Sequence, residues 1–162
     1  MTNTNQDFLI TKMYRPPLPA DFVQRSDLLG LLDERRSRPL TLVSAPAGYG
    51  KSVLVSSWLE ESDWASVWVS LDEHDDDLKR FLRYMTAAVH ETFPKILSTT
   101  QSLIQGPELP DIQAVTNILS NELNAIDRPF LLVLDDYHRI SADSAVHDIL
   151  RLLLNRPPIP LH

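Results

Sequence analysis

Ser44-Ala45-Pro46-Ala47-Gly48-Tyr49-Gly50-Lys51-Ser52 lies between an apolar run, Leu40-Thr41-Leu42-Val43, and a stretch with helical character, Val53-Leu54-Val55-Ser56-Ser57-Trp58-Leu59. Strand, glycine-bearing loop, Lys-Ser and helix, in that order, make up a phosphate-binding P-loop. Gly48 and Gly50 let the backbone turn tightly, so that the N–H groups from Ala47 through Tyr49 and on to Val53 can point at phosphate oxygens. The helix that follows adds its unpaired N-terminal N–H groups and the positive end of its dipole. Lys51 would set an ammonium on the β- and γ-phosphates, and Ser52 would give its hydroxyl to Mg²⁺. Position one of the motif is Ala45 instead of glycine, a small departure.

A second segment completes the chemistry. Pro129 introduces Phe130-Leu131-Leu132-Val133-Leu134, which ends in Asp135-Asp136. A short, continuous apolar run reads as a strand buried on both faces, and open parallel sheets bind ligands at the carboxyl ends of their strands. Asp135 would hold Mg²⁺, directly or through water. Asp136 would orient or deprotonate a water attacking the γ-phosphate, with Lys51 stabilising the charge. No Glu follows the acid pair, so fast hydrolysis is not expected. No Asn-Lys-x-Asp guanine-reading motif is present, so ATP or ADP is preferred over GTP.

Composition sets the outer bounds. The chain has 162 residues, 43% hydrophobic and 23% charged, which suits one domain with a real core. There is no cysteine, which excludes disulfides and thiolate metal sites. The net charge of −7 argues against this segment gripping nucleic acid itself. No apolar run is long enough to span a bilayer and no signal peptide is evident, so the expected location is cytoplasmic with no membrane partner. The acidic run Asp72-Glu73-His74-Asp75-Asp76-Asp77 lacks calcium-loop spacing and reads as a solvated loop and helix cap. The histidines show no metal-ligand spacing, and His138 lies near the acid pair without an assigned role.

The remaining segments alternate. Residues 1–8 read as a terminal tail and 9–162 as one domain. Tyr14-Arg15-Pro16-Pro17 must be extended. Ser26 is expected to cap a helix through Leu28, Leu29, Leu31 and Leu32. Ala65 to Leu71 is expected to form a second strand, with a helix carrying Leu78, Phe81, Leu82, Met85 and Val89 on one face. Residues 94–110 read as irregular, Ile112 to Leu123 as a helix, and Ser141 as the start of a last helix running to Leu154. Strands alternating with helices predict an α/β fold, a three-layer parallel sheet of the P-loop NTPase type.

Several segments together resemble the N-terminal nucleotide-binding region of the large MalT-like, ATP-binding LuxR-type transcription regulators, members of the STAND class of signalling NTPases related to the AP-ATPases. The resemblance rests on Thr11-Lys12-Met13-Tyr14-Arg15-Pro16-Pro17, Val23-Gln24-Arg25, the P-loop, Trp68-Val69-Ser70-Leu71-Asp72-Glu73, Arg80-Phe81-Leu82-Arg83-Tyr84, and Leu132-Val133-Leu134-Asp135-Asp136-Tyr137-His138. It covers the chain from about Leu9 onward. It implies that Lys51 and Ser52 are the P-loop residues, that Asp135 and Asp136 are the Walker B acids, and that Arg25 sits near the nucleotide base. It further implies a switch: ADP holds a closed monomer, inducer plus ATP permits self-association, and hydrolysis is slow. DNA binding would reside in a C-terminal helix-turn-helix outside this chain. The family also places a strand with a phosphate-sensing arginine between the P-loop strand and the Walker B strand. The chain stops where that strand begins, so the sheet is expected to be truncated there, with either self-association or a poorly anchored Walker B strand as the result. Two rival readings stay open on sequence grounds: a self-sufficient P-loop enzyme such as a small kinase or ATPase, and an interaction module with a vestigial P-loop.

Overall fold

The computed structural model describes residues 8–162, so the reading of 1–7 as a tail lies outside the described residues. Six helices and two strands are described: α1 (Ser26–Glu34), α2 (Lys51–Glu61), β1 (Ala65–Ser70), α3 (Leu78–Thr92), α4 (Ser98–Gln105), α5 (Ile112–Asn124), β2 (Phe130–Asp135) and α6 (Ala145–Asn155). The strands pair in parallel from Ala65↔Phe130 to Ser70↔Asp135. Both faces of this ribbon are covered, as parallel strands require. Val67, Val69 and Phe130 face a core shared with α3, α5 and α6. Trp68 and Leu131 face the other way, against Leu29 and Leu32 of α1 and Trp58 and Leu59 of α2. Helices, sheet and helices therefore form the three layers expected.

The helical spacing of apolar residues from Leu78 to Val89 forms α3 as expected. Phe81, Leu82, Met85, Ala88 and Val89 of α3 are all buried, and Pro94 follows the helix end. Each large apolar side chain withdrawn from water this way is worth about 1.5–3 kcal/mol. The start of α3 is held by Asp77, whose carboxylate accepts from the Arg80 N–H at 2.7 Å.

Four readings need correction. Leu40 to Val43 is not a strand: it is unpaired, and Leu40 and Leu42 are 60% and 79% exposed. An extended run becomes a strand only when a neighbour takes its N–H and C=O groups. One edge of β2 is taken by β1. Along the other edge runs Pro160–His162, with Phe130 N–H donating to Pro160 O at 2.8 Å and Leu132 N–H to His162 O at 2.9 Å. His162 lies against Trp64 and within 3.4 Å of the Arg38 carbonyl, so this short segment stands between β2 and the apolar run. The Walker B strand is not poorly anchored, because β1 holds it along its whole length.

The second correction is α4, which forms inside the stretch read as irregular. Its first amides are capped from a distance: the Glu122 carboxylate of α5 accepts from Thr99 N–H at 2.8 Å and Thr100 N–H at 2.9 Å. Third, Ser26 is the first residue of α1, not its cap, and no side chain caps that helix. Fourth, the last helix begins at Ala145 with Ser144 as its cap, while Ser141 is drawn away by Asp76.

Candidate functional site

The P-loop turns through two glycines in the left-handed region, Gly48 at φ 82° and Gly50 at φ 76°. A Cβ added to either would meet nothing within 4 Å, so the glycines are needed for the turn and not for close packing. Gly50 ends the loop, and its carbonyl accepts the Leu54 N–H at 2.8 Å, which starts α2. Among the described residues, the backbone N–H groups of Ala47, Gly48, Gly50, Lys51, Ser52 and Val53 donate to no protein acceptor. A row of unpaired donors at the start of an eleven-residue helix fits an anion.

The two halves of the site meet at the end of β2. Ser52 Oγ donates to Asp135 Oδ1 at 2.9 Å, across 83 residues of sequence. The Asp136 N–H donates to the same oxygen at 3.0 Å. Asp136 itself is exposed and takes a left-handed conformation, φ 56° and ψ 32°. A hydroxyl and a carboxylate set side by side are the donor set a hard cation such as Mg²⁺ uses. Among the described residues no cluster of three or more His, Cys, Asp or Glu could hold a metal by itself, so the remaining ligands would be phosphate oxygens and waters. Lys51 does not reach across the loop: its Nζ donates to the carbonyls of Ala45 at 2.8 Å and Pro46 at 3.2 Å.

A cleft of about 270 Å³ opens beside the loop. Phe22, Val23 and Arg25 line it from the N-terminal arm, and Tyr49, Val53 and Leu54 from the loop and α2. Every residue singled out for nucleotide contact in the sequence, from Arg25 to Val53, thus lies on the loop, the α2 N-terminus or this cleft. Asp135 and Asp136 close the site from the sheet. His138 approaches Asp136 only to 3.8 Å and is exposed.

Sequence reasoning missed what holds the arm. Lys12 is buried and ion-paired with Asp72 at 2.9 Å and, more closely, with the fully buried Asp75. Asp75 also accepts from the Asp72 N–H at 2.8 Å and from Arg80 Nε at 3.3 Å. The acidic run is a helix cap as expected, but Asp75 is not solvated. Burial alone would raise the Asp72 carboxyl; hydrogen bonds from Lys12 and the His74 N–H, with the charges of Lys12 and Arg80, outweigh it and hold that carboxyl below its ordinary range. Further along the arm, Arg15 reaches Glu60 and the Ser56 carbonyl, and Ser56 Oγ donates to Pro16 O at 2.7 Å. Phe8 stacks flat on Tyr84 at 4.6 Å. The arm is therefore pinned to the sheet at one end and to α2 in its middle before it reaches the cleft. Asp72 and Asp75, three residues apart, are visible in the sequence, but nothing there marked Lys12 as their buried partner.

This fold and this site define a class. Residues 23–162 match the AAA ATPase domain family, and the chain belongs to it. Within that class, the chain is similar to proteins called HTH-type transcriptional regulator MalT. It is 35% identical over 148 residues to the one from Yersinia pestis, covering 91% of this chain. The same protein from Yersinia enterocolitica serotype O:8 is 36% identical over 149 residues. The chain spans 16% of the length of these curated relatives. Among the described residues no helix is long and apolar enough to cross a membrane.

Proposed function

We propose that this chain is the ATP- and Mg²⁺-binding switch portion of a cytoplasmic transcription regulator, with slow turnover or none. The observation that carries the reading is the Ser52–Asp135 hydrogen bond, which unites the P-loop and the acid-ended strand. Bound Mg²⁺ would neutralise charge on the β- and γ-phosphate oxygens, held through Ser52 and Asp135. The unpaired N–H groups of Ala47, Gly48 and Gly50 to Val53 would cradle the phosphates, while the Tyr49 N–H donates to the Pro46 carbonyl at 3.4 Å. Lys51 would leave the Ala45 and Pro46 carbonyls to meet them. The cleft between Arg25, Val23 and Tyr49 would take the base, and Asp136 would orient the attacking water. DNA contact would come from the helix-turn-helix part for which the relatives are named, and self-association would accompany ATP binding.

Calorimetry of ATP and ADP with Mg²⁺, on this chain and on Lys51→Ala, tests the reading. Binding by the wild type and at least a tenfold loss in the variant is the expected result. A folded wild type that binds neither nucleotide refutes it.

A further inference from the structure

The turn after the acid pair is clamped by a hydrogen-bonded pair that the nucleotide reading does not use. Tyr137 and Arg139 form a single 3-10 turn, with Arg139 N–H donating to Asp136 O at 2.9 Å and Ile140 N–H to Tyr137 O at 3.1 Å. Tyr137 Oη is in close hydrogen-bond contact with His147 Nδ1, and the two rings meet edge to face at 5.3 Å. The other imidazole nitrogen, Nε2, is 2.9 Å from the Ser141 carbonyl, which can only accept. The proton of the neutral ring therefore sits on Nε2, and Nδ1 accepts from the tyrosine hydroxyl.

His147 is itself held. It stands on α6, whose cap, Ser144, donates its hydroxyl to the Asp76 carbonyl at 2.9 Å. Asp76 accepts from the Ser141 N–H at 2.7 Å and from the Ser141 hydroxyl. These two bonds outweigh the opposing effect of burial and hold the Asp76 carboxyl below its ordinary range. The clamp is thus built on α6 and on the loop that follows β1, outside the P-loop.

Its consequence runs through Asp136. A left-handed non-glycine residue costs about 1–2 kcal/mol and persists only where its surroundings fix it. That conformation aims the Asp136 N–H at Asp135 Oδ1, the same oxygen that accepts from Ser52. We infer that Tyr137 and His147 are positioning residues: their hydrogen bond fixes the Asp136 turn and so aims the Asp135 carboxylate for Mg²⁺. This rests on the proposed nucleotide site and names what orients it.

The test uses the whole chain with Tyr137→Phe, His147→Leu and His147→Asn, the last offering a carboxamide oxygen near the place of Nδ1. Two readouts are taken: amide hydrogen exchange at Arg139 and Ile140, and ATP affinity with and without Mg²⁺. Tyr137→Phe and His147→Leu should exchange faster at both amides and bind Mg²⁺–ATP about fivefold more weakly, the worth of one hydrogen bond. Affinity without Mg²⁺ should not change, and His147→Asn should restore both readouts toward wild type. Unchanged exchange overturns the inference. So does an equal affinity loss with and without Mg²⁺, which would mark a merely structural role, or an unchanged Mg²⁺–ATP affinity. A wild type that binds no ATP refutes the nucleotide reading instead, and the exchange readout then decides alone whether the pair holds the turn.

Discussion

Replacing Lys12 by Met should be among the most damaging single changes outside the core. Asp75 is completely buried and takes three interactions: the Lys12 ammonium, the Asp72 N–H at 2.8 Å and Arg80 Nε at 3.3 Å. Methionine fills much the same volume but leaves the carboxylate short of its nearest cation. Breaking a buried pair from one side costs about 3–5 kcal/mol. Arg80 remains, so the lower end, about 3 kcal/mol, is expected. The cation over the Tyr84 ring at 4.4 Å is also lost, though a thioether keeps favourable contact with an aromatic edge. At about 2–4 °C per kcal/mol for a domain of this size, the melting temperature should fall by about 6–12 °C. Thermal unfolding followed by far-ultraviolet circular dichroism measures it. Lys12→Met with Asp75→Asn should recover part of the loss, because the buried charge is then gone. A fall of less than about 1 kcal/mol, or strictly additive single and double variants, would refute the account of Asp75 as a buried charge that depends on Lys12. ATP affinity should fall alongside, because the arm tethered by Lys12 continues into the wall of the cleft.

Three further changes separate other parts of the argument. Glu122→Gln removes the charged cap of α4 and should cost about 1 kcal/mol at neutral pH by chemical denaturation. Burial opposes ionisation of Glu122, but the Thr100 and Thr99 hydrogen bonds prevail and hold its carboxyl below the ordinary 4.5, so its stabilisation is full above that value and fades as pH falls through the folded one; the difference between wild type and variant should shrink accordingly. Asp136→Gly removes the left-handed strain at some entropic cost, for a net gain of about 0.5 kcal/mol in stability, while any ATP turnover should disappear in a phosphate-release assay. Trp58→Phe should cost less than about 1.5 kcal/mol in the same denaturation experiment, because the buried Trp58 indole N–H has no partner to lose.

What could be read from the sequence was whatever depends on local spacing. The P-loop, the acid-ended strand, β1 and α3 carry their signals within a few residues: paired glycines before Lys-Ser, a run of apolar residues closed by two aspartates, an apolar face at helical spacing. What escaped depends on partners far along the chain. Residues 98–105 have Thr, Ser and Gln where a helix is usually announced, and become α4 because Glu122 supplies the cap. Leu40 to Val43 has the residues of a strand and no neighbour to pair with. Ser141 looks like a helix start until Asp76 takes its N–H and hydroxyl. Lys12 reads as a surface cation and is buried because two aspartates from another loop meet it. The candidate site followed the same rule: the meeting of Ser52 with Asp135 was legible from the two motifs, whereas the Tyr137–His147 clamp and the pinned arm were not.

The resting posture of Lys51 bears on which ligands the loop can tell apart. Its ammonium already has two oxygen partners in Ala45 and Pro46, so an incoming phosphate must trade places with them instead of filling a vacant valence. Charge-assisted bonds to neutral carbonyls give way readily to a multiply charged chain that reaches the lysine, and hardly at all to one that stops short. A mononucleotide with one phosphate would meet the amide cradle and leave the lysine where it is. Di- and triphosphates would draw it over. Under the proposed nucleotide binding, the loop would thereby count phosphates, holding the shortest nucleotide less tightly through a tether that would cost the longer ones little.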